Sequence, residues 1–142
     1  AWAAEIGAIP LYPFGGPPFA PFLAWALASG RVHSSPIGLL VHRGMGLLTS
    51  FRGALALPWE VTVPPPLPSP CDGCAAPCRD ACPVGALGRA GGYDVPACKA
   101  HVTSTVGADC RAGCLVRRAC PVSQAFGRLP EQSAFHMAAF AG

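Results

Sequence analysis

The chain has 142 residues, enough for one domain or slightly more, and its proline and glycine content, 17 of each, favours turns over long regular elements. Hydrophobic residues make up 51% of the sequence and charged residues only 12%, a balance that argues against intrinsic disorder. The net charge of +3 comes from nine arginines and one lysine scattered along the chain, and without a basic stripe we expect no nucleic-acid partner.

No stretch of the sequence predicts a membrane span or a secretory leader. The longest apolar run, residues 19–28, contains Pro21 and is far shorter than the roughly 20 residues that a transmembrane helix needs. No basic segment with a cleavage site opens the chain, which favours a cytoplasmic location. The sequence begins with Ala1 rather than Met, and we expect that an N-terminal domain is missing from it.

Residues 1–62 contain no cysteine, and we predict that they form a helix and β-hairpin segment at the end of a larger domain. The helix is predicted from Pro21 to residue 28, because proline suits a first turn and Gly30 stands where a helix would end. The hairpin is predicted to pair the apolar runs 37–41 and 47–57 with each other. Its reversal would lie in residues 42–46, where two glycines can supply positive φ.

The remaining chain divides into three predicted parts. Residues 63–70 hold five prolines and indicate an extended linker. Residues 71–127 contain all eight cysteines and indicate a small, irregular module, with short helices expected after the Cys-Pro pairs at 82–83 and 120–121. Residues 128–142 predict a C-terminal helix with an apolar face. The expected fold class is therefore α+β.

The first four cysteines have the spacing C-x2-C-x3-C-x3-C-P, in the run Cys71-Asp-Gly-Cys74-Ala-Ala-Pro-Cys78-Arg-Asp-Ala-Cys82-Pro83. Eight cysteines without a secretory signal indicate metal binding before disulfides. Bacterial two-cluster ferredoxins use C-x2-C-x2-C-x3-C-P, in which the fourth cysteine ligates the other cluster. Three thiolates on one tight loop can bind three irons of a cubane, whereas the fourth points away as the chain turns into a helix.

The second group of cysteines repeats this order with wider spacing, as three cysteines followed by a Cys-Pro pair. Its members are Cys98, Cys110, Cys114 and Cys120. This pseudo-repeat predicts crossed ligation of two [4Fe–4S] clusters and leaves no cysteine unused. The predicted ligands of cluster I, which we call set I, are Cys71, Cys74, Cys78 and Cys120. The predicted ligands of cluster II are set II: Cys82, Cys98, Cys110 and Cys114. No nucleophile–base pair or carboxylate dyad stands out, so we expect ligands rather than catalytic residues.

These motifs resemble a known family. The run CDGCAAPCRDACPVGAL is similar to the first cluster motif of two-cluster [4Fe–4S] proteins. A lone Cys98 before the last three cysteines resembles the C-terminal ferredoxin-like region of epoxyqueuosine reductases and reductive dehalogenases. The resemblance implies a bacterial ferredoxin-like module. The chain departs from epoxyqueuosine reductases at 99–101 (Lys-Ala-His) and 122–123 (Val-Ser), where those enzymes have an aromatic-rich stretch and Trp-Asn.

Three functions are compatible with this pattern. The first is electron transfer to or from a redox partner protein through two adjacent clusters. The second is the iron–sulfur portion of a corrinoid-dependent reductase, with its catalytic cofactor in the missing N-terminal region. The third is a structural two-zinc protein, since Cys71-x2-Cys74 is an acceptable zinc knuckle. Because zinc sites usually pair two such knuckles and only one is present, the pattern favours iron–sulfur over zinc.

Basic residues stand beside the cysteines. Four arginines are neighbours of predicted ligands and are expected to stabilise the reduced clusters and raise their potentials: Arg79, Arg111, Arg117 and Arg118. His101 follows Cys98 by three residues, and since eight thiolates already suffice, we expect it outside the ligand set.

Overall fold

The computed structural model describes residues 2–88 and 92–142 and divides into two compact units that interleave along the chain. The first unit consists of Ala1–Arg31 and Ser50–Leu67, and the second of Val32–Thr49 and Pro68–Gly142. All eight cysteines belong to the second unit. This division differs from the predicted boundary in the proline-rich linker, because residues 32–49 group with the cysteine region.

The first unit contains two short helices and a two-stranded antiparallel sheet. Its helices are α1 (Trp2–Glu5) and α2 (Phe22–Ala28), and its strands are β1 (Ile9–Leu11) and β4 (Ala54–Ala56). Helix α2 confirms the predicted helix: it begins directly after Pro21, and Gly30 follows its end with a φ of 64°. Residues 63–69 form neither helix nor strand, as expected of so many prolines.

The second unit contains the other antiparallel pair, β2 (Val32–Ser34) and β3 (Leu40–His42). The predicted hairpin between runs 37–41 and 47–57 is therefore wrong. Strand β3, from the first run, pairs upstream with β2, and β4, from the second run, pairs with β1.

Two turns explain the different pairing. The β2–β3 reversal is a turn with Pro36 at its second position, in which the Gly38 N–H donates to the Ser35 carbonyl at 3.0 Å. The reversal expected at residues 42–46 does form, but it closes on itself, since His42 and Gly46 exchange both backbone hydrogen bonds, at 2.8 and 3.0 Å. The chain beyond it then turns towards α6 instead of continuing a ladder with β3.

The rest of the second unit is made of short helices. They are α3 (Val95–Thr103), α4 (Ala108–Arg111), α5 (Leu115–Ala119), α6 (Pro121–Ala125) and α7 (Pro130–Ala141), with 3-10 turns at Pro77–Arg79 and Thr105–Gly107. Helices α6 and α7 confirm the predicted helices after Cys120-Pro121 and at the C-terminus. The α+β class is confirmed by this mixture of helices and small antiparallel sheets. Within the described residues, no helix has the length and apolar character to cross a bilayer.

Two local predictions in this region need correction. The helix expected after Cys82-Pro83 is absent, because the Gly85 N–H returns to the Cys82 carbonyl at 3.1 Å and Gly85 has a φ of 58°, which ends a tight turn. Helix α3 was not predicted. The residue that could have indicated this helix in the sequence is Asp94. Its carboxylate caps the helix by accepting a hydrogen bond from the Ala97 N–H at 2.9 Å.

Five of the eight cysteines belong to the hydrophobic core of the second unit or pack against it. The core contains Val41, Leu47 and Val116, each 1% exposed, together with the buried thiols of Cys78 and Cys120. Burying an aliphatic side chain of this size stabilises a fold by about 1.5–3 kcal/mol. The same contacts that stabilise the unit therefore also fix the positions of the predicted ligands.

Candidate metal centre

The four cysteines of set I line one cavity of about 260 Å³. Its walls include the core residues Val41 and Leu47 from the β3 region and Pro121 from the start of α6. Since roughly 10–15 Å³ of such volume is enough for one water molecule, the cavity has room for a group of many atoms. The apolar walls and sulfur donors are the environment in which iron–sulfur clusters are bound.

A tight loop brings the first three cysteines of set I to this cavity. The Cys74 N–H donates to the Cys71 carbonyl at 3.1 Å and closes a turn at Gly73, whose φ is 73°. Ala76 has a φ of 53°, which is unusual for a residue with a side chain and costs about 1–2 kcal/mol. Directly after it, the 3-10 turn at Pro77–Arg79 places Cys78 in the core. The left-handed Ala76 accommodates the extra residue of the x3 spacing.

The fourth member of set I comes from the other end of the module. Cys120 lies between α5 and α6 with an extended backbone, φ −69° and ψ 123°, and Pro121 begins α6. The cavity is closed on the β3 side by Leu47. Its N–H donates to the Ser123 hydroxyl at 2.9 Å, and its carbonyl accepts from the Arg117 guanidinium. These two bonds connect the β3 region to α5 and α6.

The members of set II lie on separate elements. Cys98 is in α3, Cys110 is in α4, Cys114 precedes α5, and Cys82 follows the first loop. The Arg111 guanidinium joins α3 to α4, since it donates to the carbonyls of Val102 and Ser104 at 2.7 and 2.6 Å. A cation at the carbonyl end of α3 satisfies groups that lack partners within the helix.

Electrostatic interactions among the thiols follow the two sets. Burial raises the pKa of Cys78, and the neighbouring Cys120, Cys71 and Cys74 raise it further. Burial likewise raises the pKa of Cys110, and here the contributing neighbours are Cys114, Cys98 and Cys82. Because thiolates affect one another's pKa only at short range, the thiols that interact are close in space. Cys82 interacts with set II although the sequence places it in the first group.

Hydrogen bonds from the backbone reach several of the sulfurs. The Ala76 N–H donates to Cys74 Sγ at 3.4 Å, and the Ala86 N–H donates to Cys82 Sγ at 3.2 Å. Burial raises the pKa of Cys110, and the Leu115 N–H lowers it. Such N–H···S bonds stabilise the thiolate form that a metal requires.

Two hydroxyl groups lie near cysteine residues, and neither was predicted from the sequence. The Cys71 N–H donates to the Ser69 hydroxyl at 3.2 Å. Burial raises the pKa of Cys71 and of Cys98, while Ser69 lowers that of Cys71 and Tyr93 lowers that of Cys98. The position of Ser69, two residues before Cys71, was a usable signal.

Three of the four arginines predicted to lie near the cysteines contact the backbone. Arg111 and Arg117 bind the carbonyls described above, and the Arg118 Nη2 donates to the Asp109 carbonyl at 3.3 Å. These contacts join elements of the module, which is a structural role that the sequence analysis did not predict. Their predicted effect on cluster potentials stays a prediction.

The donor chemistry fits iron–sulfur clusters. Each set offers four soft sulfur donors, which suit iron–sulfur clusters or zinc, and set I surrounds a cavity larger than a single ion requires. Among residues 2–88 and 92–142, no group of three or more His, Cys, Asp or Glu side chains is arranged to hold a metal ion.

Comparison of the chain with protein-family models, with curated proteins and with solved structures finds no match in any of the three.

Proposed function

We propose that the chain is an iron–sulfur electron-transfer protein that binds one [4Fe–4S] cluster at set I and a second at set II. The observation that carries the proposal is the cavity that all four members of set I line together, although Cys120 comes from the other sequence group. The thiols of set II affect one another's pKa in the same crossed pattern. Crossed ligation of this kind is the arrangement that two-cluster ferredoxins use. The resemblance of the first cysteine run to that family agrees with it.

The two proposed clusters are adjacent, because one short segment contributes to both. Cys78 of set I and Cys82 of set II are four residues apart, so their Cα atoms are at most about 14 Å from each other. Electrons received at one cluster can therefore pass to the other within the second unit. No side chain of another type is needed for this step.

One thiol of set I reaches the surface. Cys74 is exposed, whereas the other seven thiols are buried or half-buried. Cys74 therefore marks the side of cluster I at which we expect electrons to pass to or from a redox partner protein.

An anaerobic redox titration tests the electron-transfer role. The full chain is purified without oxygen and titrated with dithionite while its absorption and electron paramagnetic resonance spectra are recorded. We expect a brown protein that bleaches reversibly and takes up two electrons per chain, about one per cluster. A colourless protein with two bound zinc ions contradicts the proposal, and clusters that cannot be reduced reversibly contradict the carrier role.

A further inference from the structure

The second unit contains another cavity, separate from the one that set I lines. Its volume is about 320 Å³, and its walls come from the end of α4, from α6 and from the beginning of α7. Within the part of the chain that the structure describes, none of the eight cysteines lines it. The proposed clusters therefore do not use this cavity.

Two arginine side chains line the cavity, Arg118 from α5 and Arg128 from the connection between α6 and α7. The other lining residues within 2–88 and 92–142 are neutral, so the cavity has two positive charges and no negative one. Arg128 is half-buried, and a charge partly removed from water attracts an opposite charge more strongly. The charges of this cavity therefore favour an anion.

Hydrogen bonds and a close approach position Arg118 at the cavity. Its Nη2 donates to the Asp109 carbonyl at 3.3 Å, and its own carbonyl accepts from the Gln124 Nε2 at 3.0 Å. The bond to Asp109 uses one donor of the guanidinium fork, and the other N–H groups can serve a ligand. A β-carbon added at Gly113 would lie 3.1 Å from Ser133 Cβ and 3.5 Å from Arg118 Cδ. Ser133 of α7 and the stem of Arg118 are therefore neighbours.

Helix α7 adds hydrogen-bond donors and the positive end of its dipole. Pro130 and Ser133, from the beginning of this 12-residue helix, line the cavity, whereas the acidic Glu131 does not. The N-terminus of a helix attracts anions through its N–H groups and its dipole. The Ser123 hydroxyl, also in the lining, accepts from the Leu47 N–H, and its hydrogen can be donated to a ligand.

We propose that this cavity binds a phosphate group. A phosphate accepts several hydrogen bonds and carries close to two negative charges at pH 7, which would balance the two arginines. Arginine forks are suited to such oxygens, because they can donate two parallel hydrogen bonds. Since roughly 10–15 Å³ is enough for one water molecule, the volume also admits the organic part of a phosphate ester. This site goes beyond the electron-transfer function and does not depend on it.

Isothermal titration calorimetry of the anaerobically purified full chain at low ionic strength tests the site. The probes are inorganic phosphate and glycerol phosphate, with glycerol as the uncharged reference. We expect one bound phosphate group per chain and no binding of glycerol. The tighter of the two phosphates identifies the source of the group, free or esterified. A chain that binds neither overturns the proposal, whether or not it contains iron.

A matched pair of variants at Ser133 tests the location of the site. Ser133→Asp places a negative charge beside Arg118, and we expect it to weaken phosphate binding at least about tenfold. Ser133→Asn has nearly the same shape without the charge and is expected to bind more tightly than Ser133→Asp. An acidic residue near the beginning of a helix favours the helix, so the loss would not reflect unfolding of α7. Equal affinities of the two variants overturn the proposed location.

The arginines provide a second test. Arg118→Gln and Arg128→Gln are each expected to weaken binding at least about tenfold, because each removes charge-assisted hydrogen bonds. Arg43→Gln is the control, since it removes the same charge from an exposed residue outside the cavity and is expected to change the affinity little. Equal weakening by all three variants indicates general attraction by the net charge and overturns the site.

Discussion

Cys82 belongs to the first cysteine group by sequence, but its thiol interacts with Cys98 and Cys110 of set II. We therefore expect Cys82→Ala to remove cluster II and to leave cluster I assembled, with about half of the iron lost. The matched variant, Cys78→Ala, is expected to remove cluster I. Iron analysis with electron paramagnetic resonance of both variants checks this pair.

The crossed scheme makes these two variants differ although their positions are only four residues apart. Loss of the same cluster from Cys82→Ala and Cys78→Ala contradicts it. Equal loss of both clusters from both variants does so as well.

The buried thiols also predict how the metal-free protein responds to pH. Burial raises the pKa of Cys71, Cys78, Cys98 and Cys110 above the ordinary 9.0. These thiols are therefore protonated at pH 7, and cluster assembly must release their protons, so assembly is favoured as pH rises. Alkylation of the metal-free chain, followed by mass spectrometry, is expected to give midpoints above pH 9.0 at these four positions.

A free cysteine-containing peptide alkylated in parallel provides the reference midpoint. Midpoints at or below that of the peptide contradict the predicted effect of burial.

The β3 region is connected to α6 through one close approach at Gly46. A β-carbon added at Gly46 would overlap the backbone nitrogen of Ser123, and the φ of Gly46 is 56°. Gly46→Ala is therefore expected to lower the free energy of unfolding by at least about 2 kcal/mol, from backbone strain plus steric overlap. Because Leu47 lines the set I cavity, the variant is also expected to weaken binding of cluster I.

Gly38→Ala is the matched control for this substitution. Gly38 has a φ of 78° but nothing within 4 Å of an added β-carbon, so only the backbone strain of about 1–2 kcal/mol applies. Urea unfolding of both variants separates strain from overlap. A Gly46→Ala variant as stable as Gly38→Ala contradicts the close approach.

At the level of helices and strands, the sequence predicted the elements whose ends are determined by neighbouring residues. Helices α2, α6 and α7 each carry a proline at or next to their first residue, and all three were predicted. Strand pairing was not predictable in the same way, because residues 37–57 contain two possible reversals and the pairing depends on distant partners. Leu47 binds Ser123, which is 76 positions away, and no local pattern indicates such a contact.

The candidate site shows the same division. The spacing of the cysteines and their Cys-Pro endings predict two sets of ligands, and set I lines one cavity. Their role as cluster ligands stays a prediction. The position of Tyr93 was not predicted, since it depends on the start of α3 and on stacking with Phe140 of α7. The structural role of Arg111 likewise depends on α3 and α4 being neighbours.

At the scale of the whole molecule, the second unit combines its core with its proposed ligands. Cys78 and Cys120 pack with Ile37, Leu47 and Val116 in one cluster of buried residues. Metal binding at such a site contributes directly to the free energy of folding. We therefore expect removal of iron by a chelator to destabilise the second unit, which limited proteolysis would detect as cleavage within residues 71–127.

The first unit contains no cysteine and provides the internal reference for that experiment. Equal protection of residues 71–127 with and without iron contradicts the coupling between cluster binding and folding.

Metal and sulfide analysis of the anaerobically purified chain tests the proposal that eight cysteines hold two four-iron clusters. We expect about eight iron atoms and about eight acid-labile sulfides per chain. A chain that contains two zinc ions and no sulfide contradicts the proposal.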